Sequence, residues 1–457
     1  MTEHDQADQQ VLELRLNHYA RDVRSQALQE LAAMARAGQI ETPAPREIAN
    51  MHCHTFFSYN AYGYSPTGLA WLAKKQGIGL MGKVDFDVLD GVEEFLEACD
   101  LVGVRGSAAI ESRVFFPEFS TREINSPGEP GVYYAMGIGL TRDDAPGAAA
   151  GILWDMQNRA AARNRDMIRR LNSFLDPVTI DYETDVLPLT PAGNATERHI
   201  LAAYLSQVEK SQPDPLRFWS QKLAIPLEHL VKMAQDGPAF QNQVRARLMK
   251  KGGPGYSQPG EGSFPAIRTF HQAITACDGL ICAAWLDGLS AGEQAIDELL
   301  GSLVDQGAVA LNIIPDRNWN VADPALKKVK LDNLYQVVGV ASRLDLPIHV
   351  GTEMNSSGQK WVDDFTAPEL APLRPAFIDG AYFIYGHTVL QRRLGLGYAS
   401  PWAEKYLSSR RERNAFYSRM GRMMTPGMEG WKALEQGVAR LGGVAAMTPS
   451  GLANLLG

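Results

Sequence analysis

Cysteine is scarce in this chain of 457 residues: there are four, Cys53, Cys99, Cys277 and Cys282. So few thiols in so long a chain do not form a disulfide framework, and their spacings match no common zinc pattern, so reduced thiols are expected. Positive charge is also in deficit, with 44 Lys and Arg against 52 Asp and Glu and a net charge of −8. That excludes the basic footprint of a duplex-binding protein, so no nucleic acid partner is expected. No uncharged apolar run approaches the roughly 20 residues needed to span a bilayer, so no membrane is expected either. The opening Met1-Thr2-Glu3-His4-Asp5 is acidic and polar where a secretory signal is basic and then apolar, which points to the cytoplasm. What the chain does have is 45% hydrophobic residues with 21% charged, enough to bury a large core.

Residues 10–38 carry apolar positions at helical spacing (Leu12, Leu16, Tyr19, Val23, Leu31) and stop at Gly38, which predicts one helix. Thr42-Pro43-Ala44-Pro45 breaks it, and Ile48–His52 then reads as a strand. A helix over 66–76, between Pro66 and Gly77, leads to the strand Ile78–Met81 and a helix over 91–99. Apolar strands recur at 107–111, 279–284, 308–314 and 346–351. Strands alternating with helices predict an α/β fold with a parallel sheet, and polar residues after each strand place a site at the carboxyl end of a barrel. Residues 152–250 read as helical, and 251–265, rich in Gly and Pro, as a mobile loop or lid. The predicted organisation is an N-terminal helical extension (1–47), a first barrel segment (48–150), a helical insertion ending in the loop (151–265), a second barrel segment (266–380) and a helical tail (381–457).

His52 and His54 lie two apart at a strand end, so both imidazoles share one face, a pattern suited to a divalent metal. Arg113 relates to Glu111, and Lys83 to Asp85, by the same spacing. Each cation either neutralises an anionic substrate or pairs with a neighbouring carboxylate, the second being the stronger reading for Lys83. Asp316, Arg317 and Asn318 follow a buried-type strand, where Arg317 can fork onto phosphate or carboxylate; the alternative is a structural turn. Asn355-Ser356-Ser357-Gly358-Gln359-Lys360 offers amides, hydroxyls and a cation, or else a helix cap with a solvated lysine. His387 is expected to pack, and His4, His18, His229, His271 and His349 receive no role.

The run His52-Cys53-His54-Thr55 with Ser58, then Asp85-Phe86-Asp87 and Gly91-Val92-Glu93-Glu94-Phe95, then Ala109-Ile110-Glu111, resembles the PHP (polymerase and histidinol phosphatase) family of metal-dependent phosphoesterases. The resemblance implies a distorted (β/α)7 barrel. It also implies a metal site of His52, His54, Glu111 and Glu353, the last in Gly351-Thr352-Glu353-Met354-Asn355, where Glu replaces the family's Asp. His199, in Glu197-Arg198-His199-Ile200, resembles a family segment that contacts substrate or metal, and is otherwise a helix-face histidine. Several of the family's metal ligands are replaced here by Phe86, Tyr134, Trp285 and Asn355. One secure site for Zn, Mn or Fe is therefore implied, two at most. The implied activity is hydrolysis of a small phosphorylated or anionic compound by metal-activated water, with Glu111, Arg113 and Arg317 catalytic and His199, Asp316, Asn318, Asn355 and Lys360 at the substrate. Single-metal lyase or isomerase chemistry on a sugar or organic acid, or a non-catalytic metal-binding role, remain as alternatives. Homo-oligomerisation is left open.

Overall fold

The computed structural model describes residues 3–260 and 262–456; Met1, Thr2, Glu261 and Gly457 lie outside them. Among the described residues, seven strands form one sheet in sequence order: β1 (Arg46–His54), β2 (Ile78–Phe86), β3 (Arg105–Phe115), β4 (Val132–Leu140), β5 (Leu280–Trp285), β6 (Ala310–Ile313) and β7 (Ile348–Val350). β1, β2 and β3 run parallel, as do β5, β6 and β7. β4 is antiparallel to both of its neighbours, which corrects the expectation of a wholly parallel sheet. The reason lies between β3 and β4, where the only helical element is one short turn, Pro117–Phe119. A parallel return needs a crossover, usually a helix, whereas an antiparallel return does not.

The sheet curls until its ends nearly meet. Beyond β7, Glu353 donates its amide to the His52 carbonyl (2.7 Å) and accepts from the His54 amide (2.8 Å). Asn50 ties the same seam, donating to Thr352 Oγ1 (2.8 Å) and to the Trp361 carbonyl (2.6 Å). A Cβ on Gly351 would come within 2.3 Å of the His52 amide nitrogen, so only glycine admits this approach. The barrel-like sheet therefore closes directly beneath the two histidines.

Local chemistry sets the helices around it. Ser65 caps the helix Pro66–Gln76 by accepting from the Gly68 amide, Pro66 opens it, and Gly77 ends it with a left-handed φ of 62°. The helix Arg374–Leu394, which begins before the predicted tail at 381, is buried along most of its length against the sheet. The N-terminal run is two helices, Glu3–Arg15 and Arg21–Arg36, rather than one. The break is tertiary in origin: Asn17 Oδ1 accepts from the Ser65 amide, and Arg24 donates to the carbonyls of His18 and Tyr19 while paired with Glu94 in the interior. Removing one partner of such a pair typically costs about 3–5 kcal/mol, so this contact fixes the extension to the barrel.

Helices from Ala148 to Met249 build a second apolar core around Ile168, Leu171, Tyr204, Trp219 and Leu248. The described residues of 251–265 hold no helix or strand but are held to the body. The Pro265 carbonyl accepts from the Phe115 amide (2.8 Å), the Ser263 carbonyl from Arg163 (2.6 Å) and Glu129 Oε1 from the Tyr256 hydroxyl (3.3 Å). No helix among the described residues is long and apolar enough to cross a membrane.

Candidate metal centre

Because β1 is extended, His52 and His54 leave it on one face, and both side chains are buried. Across β2, the parallel register places Glu111 of β3 opposite Phe86, and Glu111 reaches the histidines. Its Oε2 lies 3.5 Å from Nε2 of His52 and 3.5 Å from Nε2 of His54. The three donor atoms fall within 4.8 Å of one another, the spacing of ligands around one cation.

The second ring nitrogens settle what the first can do. Ser58 gives its hydroxyl proton to Asp85 Oδ1 (2.6 Å), so its oxygen accepts from His54 Nδ1 at 3.0 Å. Asp85 is held in turn by the Thr55 amide (2.9 Å), the Thr55 hydroxyl (2.7 Å) and Lys83 (2.9 Å). On the other side, Asn312 Oδ1 accepts from Nδ1 of His52 (3.2 Å) and of His349 (2.9 Å). Both ligand candidates thus carry their proton on Nδ1 and turn an Nε2 lone pair inward. Those two Nε2 atoms are buried and have no hydrogen-bond partner among the described residues. A buried, unsatisfied polar atom is costly, and two that converge on a carboxylate fit a metal. Burial disfavours the imidazolium at both positions; at His52 the Glu111 and Glu353 carboxylates outweigh it and raise the pKa, whereas at His54 burial and the neighbouring His52 push it down.

Glu353 stands beside this group with its own commitments. Its Oε2 accepts from Arg317 (2.6 Å) and Asn355 Nδ2 (3.0 Å), and despite burial its pKa is held at about 2 by Arg317 and the two histidines. It is not one of the three residues whose donor atoms cluster. Phe86 stacks on His54 with ring centroids 4.7 Å apart and planes 22° from parallel, and Tyr134 follows 6.2 Å from Phe86. His54, Phe86 and Tyr134 thus form an aromatic wall beside the carboxylates.

The His52–His54–Glu111 group opens into a cavity of about 1030 Å³ lined from both the barrel and the helical lobe. Arg113, Arg317, Asn355 and Trp285 line it with Asp87 of the Asp85-Phe86-Asp87 run, as do residues not singled out from sequence, including Glu129, Arg163 and Phe264. Arg113 shares Glu111's strand, as its spacing predicts, but its guanidinium is bonded to Glu129 and lies 4.4 Å over Phe264. Lys83 is consumed by Asp85, the pairing favoured for it.

Other candidates sit elsewhere. Asn318 is buried and donates to the carbonyls of Leu286 and Ile314. Asp316 bonds Asn320, and Lys360 lies 4.7 Å over Trp319 with Asp316 3.9 Å away. None of the three lines the cavity, and their contacts are those of a folded turn. His199 closes a capping box with Thr196 and packs edge-on against Tyr59; burial lowers its pKa to about 4. Tyr59 lines the cavity and His199 does not. His387 packs within the helix Arg374–Leu394, between the Gly139 carbonyl and the Tyr398 amide. His349, given no role from sequence, is the residue that shares Asn312 with His52; a lone histidine inside Ile348-His349-Val350 carries no signal until the barrel brings β1, β6 and β7 together.

No protein-family model matches this chain, and no curated protein does. Two solved structures similar to it are a candidate metal-dependent phosphoesterase from Bifidobacterium adolescentis, at 18% identity and a TM-score of 0.46, and an amidohydrolase from Chromobacterium violaceum, solved with sulfate and without metal, at 15% identity and a TM-score of 0.46. The first likeness covers 73% of this chain and 98% of the other, and the second covers 72% and 96%.

Proposed function

We propose that the protein is a hydrolase of the PHP type that uses one divalent metal, held by His52, His54 and Glu111, to cleave a small phosphorylated or otherwise anionic compound. The observation that carries this reading is the pair of inward, unpartnered Nε2 atoms, each fixed in its tautomer by a buried hydrogen bond. A divalent metal at this position supplies Lewis acidity, polarising a substrate oxygen and lowering the pKa of water. The chain's own residues do the remainder. Glu111 and Glu353 supply negative charge at the metal side, and Arg317, fixed by Glu353, offers its guanidinium to the anionic group of the substrate. Trp285 and the Phe86–Tyr134 wall keep that end of the cavity apolar, which strengthens each charge interaction there. The aromatic wall also favours one metal over two. It equally favours a second reading, single-metal lyase or isomerase chemistry on a sugar or organic acid.

Elemental analysis combined with a para-nitrophenyl phosphate assay separates the readings. One metal per chain with turnover, both lost in His52→Ala/His54→Ala, is the expected result. One metal without turnover favours the lyase or isomerase or a non-catalytic metal-binding role, and metal content unchanged in the double variant sinks the proposal.

A further inference from the structure

The cavity has a second charged corner, built by the helical lobe rather than by the barrel. Arg198 lies in the helix Glu197–Ser211, Arg245 in the helix Gly237–Met249 and Lys250 directly after it, and all three line the cavity. Glu197 is the one carboxylate among them: it accepts from Arg245 (2.9 Å) and Lys250 (2.8 Å). Arg198 donates to the Asn242 amide oxygen (2.8 Å) and is bonded to no carboxylate among the described residues. Three cations against one carboxylate leave a surplus of two positive charges facing the cavity. Burial lowers the pKa of both Arg198 and Lys250, with the nearby Arg245 acting in the same direction and Glu197 opposing it. Cations gathered at a cost in desolvation and mutual repulsion are relieved by an anion.

The cavity, at about 1030 Å³, is at the upper end of the usual range for small-molecule sites, roughly 300–1,000 Å³, and so has room for a ligand that reaches beyond the metal end. We infer that Arg198, Arg245 and Lys250 form a second anion subsite, which takes a phosphate group of the substrate remote from the one at the metal. Two guanidinium forks with one ammonium present more donors than a single carboxylate can accept, and suit the oxygens of a phosphate. The substrate class is then a small molecule with two separated anionic groups. This rests on reading the cavity as a substrate site, but not on the metal.

The test is calorimetric titration of the full chain with inorganic phosphate at about 0.15 M salt, where surface attraction is screened. The wild type is expected to bind two phosphates, and Arg198→Gln/Arg245→Gln to bind one, with the lost site at least tenfold weaker. The single variants Arg198→Gln and Lys250→Gln should each weaken that site about fivefold, so the result does not hang on the double variant folding. His52→Ala/His54→Ala should keep the lobe phosphate, which separates failure of this inference from failure of the metal assignment. No phosphate bound by the wild type, or phosphate binding unchanged in all three lobe variants, overturns the inference.

Discussion

Ser58 fixes the tautomer of His54: its Oγ lies 3.0 Å from Nδ1, while its hydroxyl proton is committed to Asp85. The side chain that touches no ligand therefore decides which nitrogen is free to bind one. Ser58→Ala removes the acceptor and lets the imidazole turn or change tautomer. Second-layer losses of this kind cost about 10–100-fold in metal affinity. Competition with a chromogenic chelator should show a loss in that range for Zn²⁺ or Mn²⁺, with the melting temperature little changed. An affinity within twofold of wild type would mean that the Ser58–Asp85 pair has no part in the site.

Arg317 and Glu353 make the other decisive contact, at 2.6 Å. If Arg317 serves the substrate's charge, Arg317→Gln should lower kcat/KM for para-nitrophenyl phosphate about 100-fold while the metal stays bound. Arg317→Lys, which keeps the charge but not the fork, should recover part of it. Loss of metal in Arg317→Gln would instead assign Arg317 to holding Glu353 in place, and the substrate role would fall.

The parts of this centre legible in the sequence were those carried by one strand and its immediate neighbours. His52, His54 and Ser58 are local to the end of β1, and Glu111 pairs directly with Phe86 at the end of β2. Capped helices such as Pro66–Gln76 were equally legible, because Pro66 and Gly77 act within a turn. What failed depended on distant contacts. β4 went unpredicted, and its direction left no trace in Val132–Leu140, since a buried strand has the same apolar pattern in either orientation; the missing helix before it was the available signal. The Asn312 link between His52 and His349, and the lobe's Arg198, Arg245 and Lys250, come together only when segments far apart in the chain fold onto one cavity.

Phe264 sits between two guanidinium groups, those of Arg113 and Arg163, each 4.4 Å from its ring centre. Burial pushes Arg163 down to about 10, so the aromatic face stabilises a cation that has lost much of its water. Such contacts contribute about 0.5–2 kcal/mol each. Phe264→Ala should therefore loosen the segment before it. Hydrogen exchange across residues 255–260 and at the Phe115 amide, which donates to Pro265, is expected to rise at least tenfold. Phe264→Tyr, which keeps the ring, should retain protection. Unchanged exchange in the alanine variant would show that backbone contacts alone hold the loop.

His387 provides a pH prediction remote from the metal. It is 1% exposed, with Nε2 donating to the Gly139 carbonyl (3.2 Å) and Nδ1 accepting from the Tyr398 amide (3.0 Å), so the buried ring is neutral. Burial lowers its pKa to about 4, the Gly139 bond opposing, against about 6.5 in the unfolded chain. Between those values the unfolded chain binds a proton that the folded chain refuses. The stability tied to this ring is thus fully present above pH 6.5 and is lost as the pH falls towards 4, a change of about 3 kcal/mol. His271, also lowered to about 4 by burial, acts in the same direction, so a melting curve of the wild type alone does not isolate His387. The difference between wild type and His387→Gln does. That variant should be clearly less stable than wild type at pH 7.5, and the gap should narrow by about 3 kcal/mol by pH 4. A gap that stays constant across the range would mean that His387 is protonated equally in the folded and unfolded chains, contrary to its two bonds.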